Sequence, residues 1–506
     1  MLEYIAQGFD ITLLPVNLLA IVLGVIIGLI FGAIPGLSGV TAVSLLIPFT
    51  YGMPPVTGLL IMIGVYCAAT YGGSISAILF NIPGDVMGAA TAIDGYPMSK
   101  KGEANQALAM AIFASLCGGI FGTIMLGLVA PQFIKIALTF GSPEYFALAF
   151  LGLTVVSSLG TKSQSKALIA VLFGLWLSTI GLDPVFGVSR FTMGNPMLQA
   201  GISLVPAIIG FFALSEVFFR MYDKNINIPT DMGAIKQAKA FSLPSRKDIK
   251  DSAVTIFRSS VIGNFVGILP GAGATIAAFL GYGTAVRFSK EPKKFGQGTL
   301  EGVAAPESAN NAAVGGAMVP LLTLGIPGSA STAIMLAVFL LHGLQPGPLM
   351  FQRMPDMIYA LITGMFIANI FMFIFAIMAI RILVRFLLIK FEFLSLYILV
   401  LCVFGAFSIH DRFVDVWVMF VCGILGFFAK KYEYPIAAII LGIVLGGIAE
   451  SGFVNGILIV HGSFIDFFTR PITLGILIAS SLFFTIPLLD DLLQRRKRRQ
   501  QEQLES

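Results

Sequence analysis

Residues 16–33 read VNLLAIVLGVIIGLIFGA and run straight into IPG at 34–36. The run carries no charge and a single polar residue, Asn17, and approaches the roughly 20 apolar residues that a bilayer-spanning helix needs. The Pro-Gly pair then ends it, because proline removes a backbone donor and glycine admits conformations closed to other residues. Runs at 107–130, 198–219 and 358–380 are also predominantly apolar and long enough to span. Of the 506 residues, 57% are hydrophobic and 11% charged. A soluble domain carries roughly 25% charged residues, so the composition places the chain in the bilayer. No period-2 alternation of barrel strands occurs, and the expected fold class is all-α and polytopic.

The opening MLEYIAQGFDITLLP lacks a basic leader and a small-residue cleavage site, so the first apolar run reads as a retained span. Cys67, Cys117, Cys402 and Cys422 all fall in apolar segments without metal-ligand spacing and read as packing residues. Basic residues cluster at Lys100–Lys101, at Lys162 and Lys166, from Lys224 to Lys250, at Arg287–Lys294, at Arg381–Lys390, at Lys430–Lys431 and at Arg495–Arg499. The loops at 51–55 and 450–466 are poor in Lys and Arg. By the positive-inside rule the N-terminus lies outside and the C-terminus inside, with roughly 11–15 membrane segments between.

The opening motif returns: GLIFGAIPG at 28–36 matches GNFVGILPG at 263–271. YGGSISAILFNIPG from Tyr71 is echoed by VGGAMVPLLTLGIPG from Val314, with one inserted residue. The loop after the first break is uncharged in one copy (51–55) and strongly basic in the other (287–294), which sets the copies on opposite sides of the membrane. Two inverted repeats with interrupted or re-entrant helices are the pattern of secondary transporters, whose site lies near the midplane between the halves. The expected organisation is a first membrane repeat at 1–222, a cytoplasmic polar linker at 223–255 and a second repeat at 256–460. A final span and basic cytoplasmic tail at 461–506 complete it.

At these motifs the chain resembles the TctA family, the large membrane subunit of tripartite tricarboxylate transporters. The residues concerned are GAIPGLSG (32–39), NIPGD with AIDGYP (81–97), PGAGAT (270–275), PESANNAAVGG (306–316) and GIPGS (325–329). The resemblance implies a bacterial inner-membrane permease that imports small di- or tricarboxylates by symport with Na⁺ or H⁺. It also implies a small TctB-like membrane subunit and a periplasmic TctC-like solute-binding protein. No cofactor beyond the coupling ion is implied.

A carboxylate in the membrane needs polar groups in place of its water. Lys135, Arg220 and Arg258 sit near segment ends and are expected to snorkel to the interface. Backbone N–H groups where a broken helix restarts are the alternative donors. The candidate substrate residues are therefore Gly36, Ser38, Gly39 and Thr41 in one half and Gly271, Gly273 and Thr275 in the other, joined by Ser308, Asn310 and Asn311. Hard-oxygen groups for a coupling cation are Asn81, Asp85, Glu307, Ser329 and Thr332. Asp94 suits a turn or cap as well as a functional role. Glu144 reads as a helix N-terminus, Glu216 with Arg220 as an interfacial pair, and the GxxxG spacings at Gly28/Gly32, Gly263/Gly267 and Gly442/Gly446 as helix packing.

The histidines His342, His410 and His461 are scattered, with no zinc-enzyme spacing, and PGAGAT lacks the lysine of a phosphate loop. These features disfavour an enzyme. The remaining alternatives are an anion-conducting channel and a transporter of a non-carboxylate solute.

Overall fold

The computed structural model describes residues 2–159, 163–223, 243–271, 273–386 and 391–485. Residues 224–242 of the expected linker, Lys162, and the basic tail at 495–499 lie outside the described residues. The described chain is helical apart from one two-residue strand pair. In order the helices are α1 Leu2–Thr12, α2 Pro15–Ala33, α3 Gly39–Thr50, α4 Pro55–Phe80, α5 Ala89–Lys100, α6 Ala104–Ala137, α7 Ser142–Leu159 and α8 Gln164–Ser178. The strands β1 Gly181–Leu182 and β2 Ser189–Arg190 pair antiparallel. Then follow α9 Leu204–Tyr222, α10 Arg246–Ile268, α11 Gly273–Phe288, α12 Leu300–Leu324, α13 Ala330–Leu341, α14 Pro348–Arg353 and α15 Pro355–Phe386. The last are α16 Phe391–Ser408, α17 Phe413–Lys431, α18 Ile436–Ile459, α19 Phe464–Thr469 and α20 Pro471–Thr485.

Seven of these helices are long and apolar enough to cross a membrane, and six more are apolar over 10–17 residues. The chain is a multi-pass membrane protein. Helix α10 begins at Arg246, inside the polar stretch, where Ser245 and Asp248 form a capping box.

The described residues form two compact units. The first comprises 2–138, 203–223, 243–269, 273–386 and 391–431, and the second 139–159, 163–202, 270–271 and 432–485. In the second, α18 packs on α7 and α8, with Gly174 and Gly442 so close that a side chain on either would press into the other's backbone. The buried Glu144 opens α7, accepting from the Gly141 N–H at 2.8 Å, Arg470 Nε at 2.7 Å and Thr473 Oγ1 at 2.9 Å. Near the strand pair, Asp183 is held below the usual carboxylate range by the N–H groups of Phe186 and Val185 and the nearby Arg190 guanidinium. Arg190 in turn grips Glu450 with both terminal nitrogens.

In the first unit, α4 and α12 are the buried axes, with α2 laid along α4 and α10 along α12. Each long helix ends as its sequence demands. Ile34 and Leu269 precede prolines and leave the helix in extended conformation, at ψ 117° and 121°. Gly36 and Gly271 then reverse the chain at φ 81° and 79°. Helices α4 and α12 stop at left-handed caps, Asn81 at φ 58° and Gly325 at φ 71°.

The same landmarks meet in both copies. A side chain at Gly28 or Gly32 would run into the backbone of Val65 or Ala69, and one at Gly263 or Gly267 into that of Ala309 or Ala313. Gly72 lies on Gly32 and Gly316 on Gly267. That pairing aligns Gly72 with Gly316, and Asn81-Ile82-Pro83-Gly84 then falls on Gly325-Ile326-Pro327-Gly328 without the inserted residue that the sequence comparison introduced.

Candidate functional site

The breaks cross over between the two copies. Helix α3, which restarts after the first break, packs on α13, which restarts after the last. Helix α11 packs on α5 and on the 3-10 turn at Val86–Gly88, where Met87 packs against the cluster of Ala274, Ala277 and Ala313. Each first-break helix therefore lies against the segment that follows the other copy's second break.

Ser38 caps α3, its hydroxyl accepting from the Thr41 N–H at 3.2 Å. The neighbouring Gly39 N–H donates to the buried Asp85 carboxylate at 3.3 Å. A residue expected to bind substrate and one expected to bind a cation are thus bonded to each other, with Asp85 serving as an internal anion on the α3 N-terminus. Ser329 and Thr332 form a capping box at the start of α13, and Tyr66 Oη meets Ser329 Oγ at 3.1 Å. Asn81 is exposed and acts as the cap of α4. In the other copy Gly273 opens α11 at φ 65° and Thr275 is half-buried behind it. Gly271 groups with the second unit and sits against Val156.

Glu307 lies on α12, fully buried. Its carboxylate accepts hydroxyls from three other helices: Ser74 of α4, Thr91 of α5 and, at 2.8 Å, Ser115 of α6. Among the described residues no cationic side chain pairs with it. A buried carboxylate whose partners are all neutral retains an unbalanced charge, which a cation or a proton would balance. Beside it, Asn311 donates to the Glu307 carbonyl at 3.0 Å and to Asn310 Oδ1 at 2.8 Å. That leaves Asn310 Nδ2 and Asn311 Oδ1 buried without partners among the described residues. The Ser308 hydroxyl is committed to its own helix through Ala304 O at 2.8 Å.

Asp94 sits one turn after Thr91 on α5 and is likewise fully buried. Its Oδ1 accepts from the N–H groups of Gly296, Gly298 and Thr299 at 2.8–3.0 Å, and its Oδ2 from Tyr282 Oη at 2.9 Å. The carboxylate thereby clamps α5 to the start of α12 and holds the Thr91 hydroxyl on Glu307.

Arg220 is not where interfacial snorkelling would put it. Its Nε binds Glu216 Oε1 at 2.9 Å, as the i, i+4 spacing anticipates, but its side chain is only 9% exposed. The guanidinium occupies the space where a side chain on Gly36 would begin. Sequence reasoning missed this contact, along with Tyr66, Ser74, Thr91 and Ser115. The only signal for the serines and threonines was a hydroxyl set within an apolar run.

The family model for the tripartite tricarboxylate transporter TctA family matches residues 18–441, spanning the breaks, the Glu307 cage and the α5 clamp. The chain belongs to the TctA family. It is 37% identical over 496 residues to an uncharacterised 52.8 kDa protein of the TAR-I ttuC′ 3′ region of Agrobacterium vitis, covering 98% of both chains. A second relative, from the TAR-II ttuC′ 3′ region of the same organism, is 35% identical over 234 residues, covering 46% of this chain and 97% of its own. No solved structure matches. Membership makes this TctA-family chain a transmembrane transport protein and a component of a multi-part tricarboxylate transporter system.

Proposed function

We propose that the chain is the permease subunit of a binding-protein-dependent secondary transporter that imports a small di- or tricarboxylate by symport with Na⁺ or H⁺. It works in the bacterial inner membrane, N-terminus periplasmic and C-terminus cytoplasmic, with a small TctB-like subunit and a periplasmic TctC-like solute-binding protein. The observation that carries this reading is the crossing of breaks, in which α3 meets α13 and α11 meets α5. If the copies are inverted, helix starts from opposite sides of the membrane converge on one site, the arrangement alternating access needs.

In this reading the substrate's carboxylates are met by the starts of α3 and α11, through Gly36, Ser38, Gly39, Thr41, Gly273 and Thr275. Glu307, ringed by Ser74, Thr91 and Ser115, takes the coupling cation or proton. Asn310 and Asn311 add substrate contacts beside it, through the unpartnered Asn310 Nδ2 and Asn311 Oδ1. Movement of charge-balanced Glu307 then accompanies movement of the anion, so that neither crosses the apolar core alone.

The test is uptake of labelled di- and tricarboxylates into proteoliposomes supplied with both partner subunits, under an imposed Na⁺ or proton gradient. Gradient-dependent accumulation of one acid is the expected result. Saturable uptake indifferent to both gradients, or current without saturation, would replace symport by facilitated diffusion or a channel.

A further inference from the structure

With Asp85 already bonded to the Gly39 N–H, the first break offers fewer free backbone donors than its sequence promises. A different group supplies positive charge there. The guanidinium of Arg220, on α9, lies flat against Gly36, and Gly36 is the one residue type that leaves room for it. Phe391 covers the guanidinium, its ring centroid 4.9 Å from Cζ. Glu216 takes Nε, and Lys430 also binds Glu216. Among the described residues the two terminal nitrogens of Arg220 have no hydrogen-bond acceptor. Two cations thus share one carboxylate, and the surplus charge sits on a side chain that is nine-tenths buried and lies against the break.

We propose that Arg220 is a substrate-binding residue whose terminal nitrogens take one carboxylate of the transported anion at Gly36, while Glu216 holds the guanidinium in place through Nε and opposes that anion by its negative charge. A planar guanidinium fits a carboxylate through two parallel hydrogen bonds, which an ammonium does not. Phe391 over the guanidinium and Gly36 against it leave its nitrogen edge for a partner, which favours a flat, bidentate group over a spherical halide. This inference rests on the transport of a carboxylate.

The test compares wild type with Arg220→Gln, Arg220→Lys and Glu216→Gln in the same reconstituted uptake assay. A parallel measurement follows ligand-induced thermal stabilisation of each purified protein by citrate and by succinate. Arg220→Gln is expected to raise KM for the transported acid by about ten- to a hundredfold at similar Vmax, as loss of a charged hydrogen-bonding partner implies. Arg220→Lys should fall between, and Glu216→Gln should lower KM by removing the negative charge beside the fork. Citrate or succinate stabilisation should follow the same order. A merely structural ion pair predicts instead that Arg220→Gln and Glu216→Gln shift KM and abundance in the same direction, and that result overturns the assignment. Wild-type uptake with unchanged KM in all three variants also overturns it while leaving carboxylate transport intact. Wild type that neither accumulates nor is stabilised by any carboxylate refutes the transport reading, and this inference with it.

Discussion

Replacing Thr91 by valine tests the Glu307 cage with little disturbance of packing. Valine fills nearly the volume of threonine, so no cavity opens at this fully buried position, and what is lost is one hydroxyl on Glu307 Oε1. Oε1 then retains only Ser74, and Oε2 only Ser115. A hydrogen bond to a charged group contributes about 1.5–3 kcal/mol. If the hydroxyl also helps hold the coupling ion, its removal raises the cation concentration for half-maximal uptake by about 10- to 150-fold. The assay is uptake at saturating carboxylate in proteoliposomes while the coupling cation is titrated, and rate at saturating cation should recover. Thr323→Val is the control, since that buried threonine on α12 gives its hydroxyl to Val319 O of its own helix. If Thr91→Val matches the control to about twofold, well under the tenfold that about 1.4 kcal/mol represents, the cage is structural and coupling lies elsewhere.

Glu307→Gln keeps the shape of the cage and removes its charge. Gradient-driven accumulation should fall by more than about tenfold, as loss of a buried functional charge implies, with membrane insertion measured by surface labelling unchanged. Gly32→Leu, and separately Gly267→Leu, would drive a side chain into the backbone of Ala69 or Ala313. Each is expected to destabilise the first unit by about 1–3 kcal/mol and lower the melting temperature in detergent. Asp94→Asn weakens the acceptor that three N–H groups share, and should speed tryptic cleavage at Lys293 and Lys294 in the adjoining loop several-fold, read by timed digestion and mass spectrometry.

The backbone of the site was legible because its signals are local. Proline at 35 and 270 dictates an extended residue before it and glycine at 36 and 271 admits the positive φ that follows, whereas Ser329 and Thr332, read as cation ligands, form a capping box at the start of α13. The polar run at 306–311 likewise singles out Glu307, since a carboxylate beside a serine and two asparagines is conspicuous in an apolar span. Its partners were not legible. Ser74, Thr91 and Ser115 lie 192–233 residues away in the chain, and each sits in a segment whose hydroxyl would be equally at home on its own helix. Arg220 was misjudged for a related reason. A basic residue near a helix end ordinarily reaches for the interface, and only tertiary packing turns it towards a glycine more than 180 residues earlier. The division into units is equally invisible to linear reading, since both are assembled from separated segments.

That last feature bears on how the protein is made. Helices α7 and α8 are finished by Ser178, yet α18, the helix both pack against, does not begin until Ile436. At about 5–20 residues per second, the intervening stretch of roughly 260 residues takes about 13–50 seconds to synthesise. Throughout that interval the α18-facing stripe around Gly174 has only lipid or another protein to lean on. A ribosome that stalls or terminates after Lys431 would strand α7 and α8 with that stripe uncovered. Assembly of the second unit therefore waits on the synthesis of α18, long after its first two helices have left the ribosome.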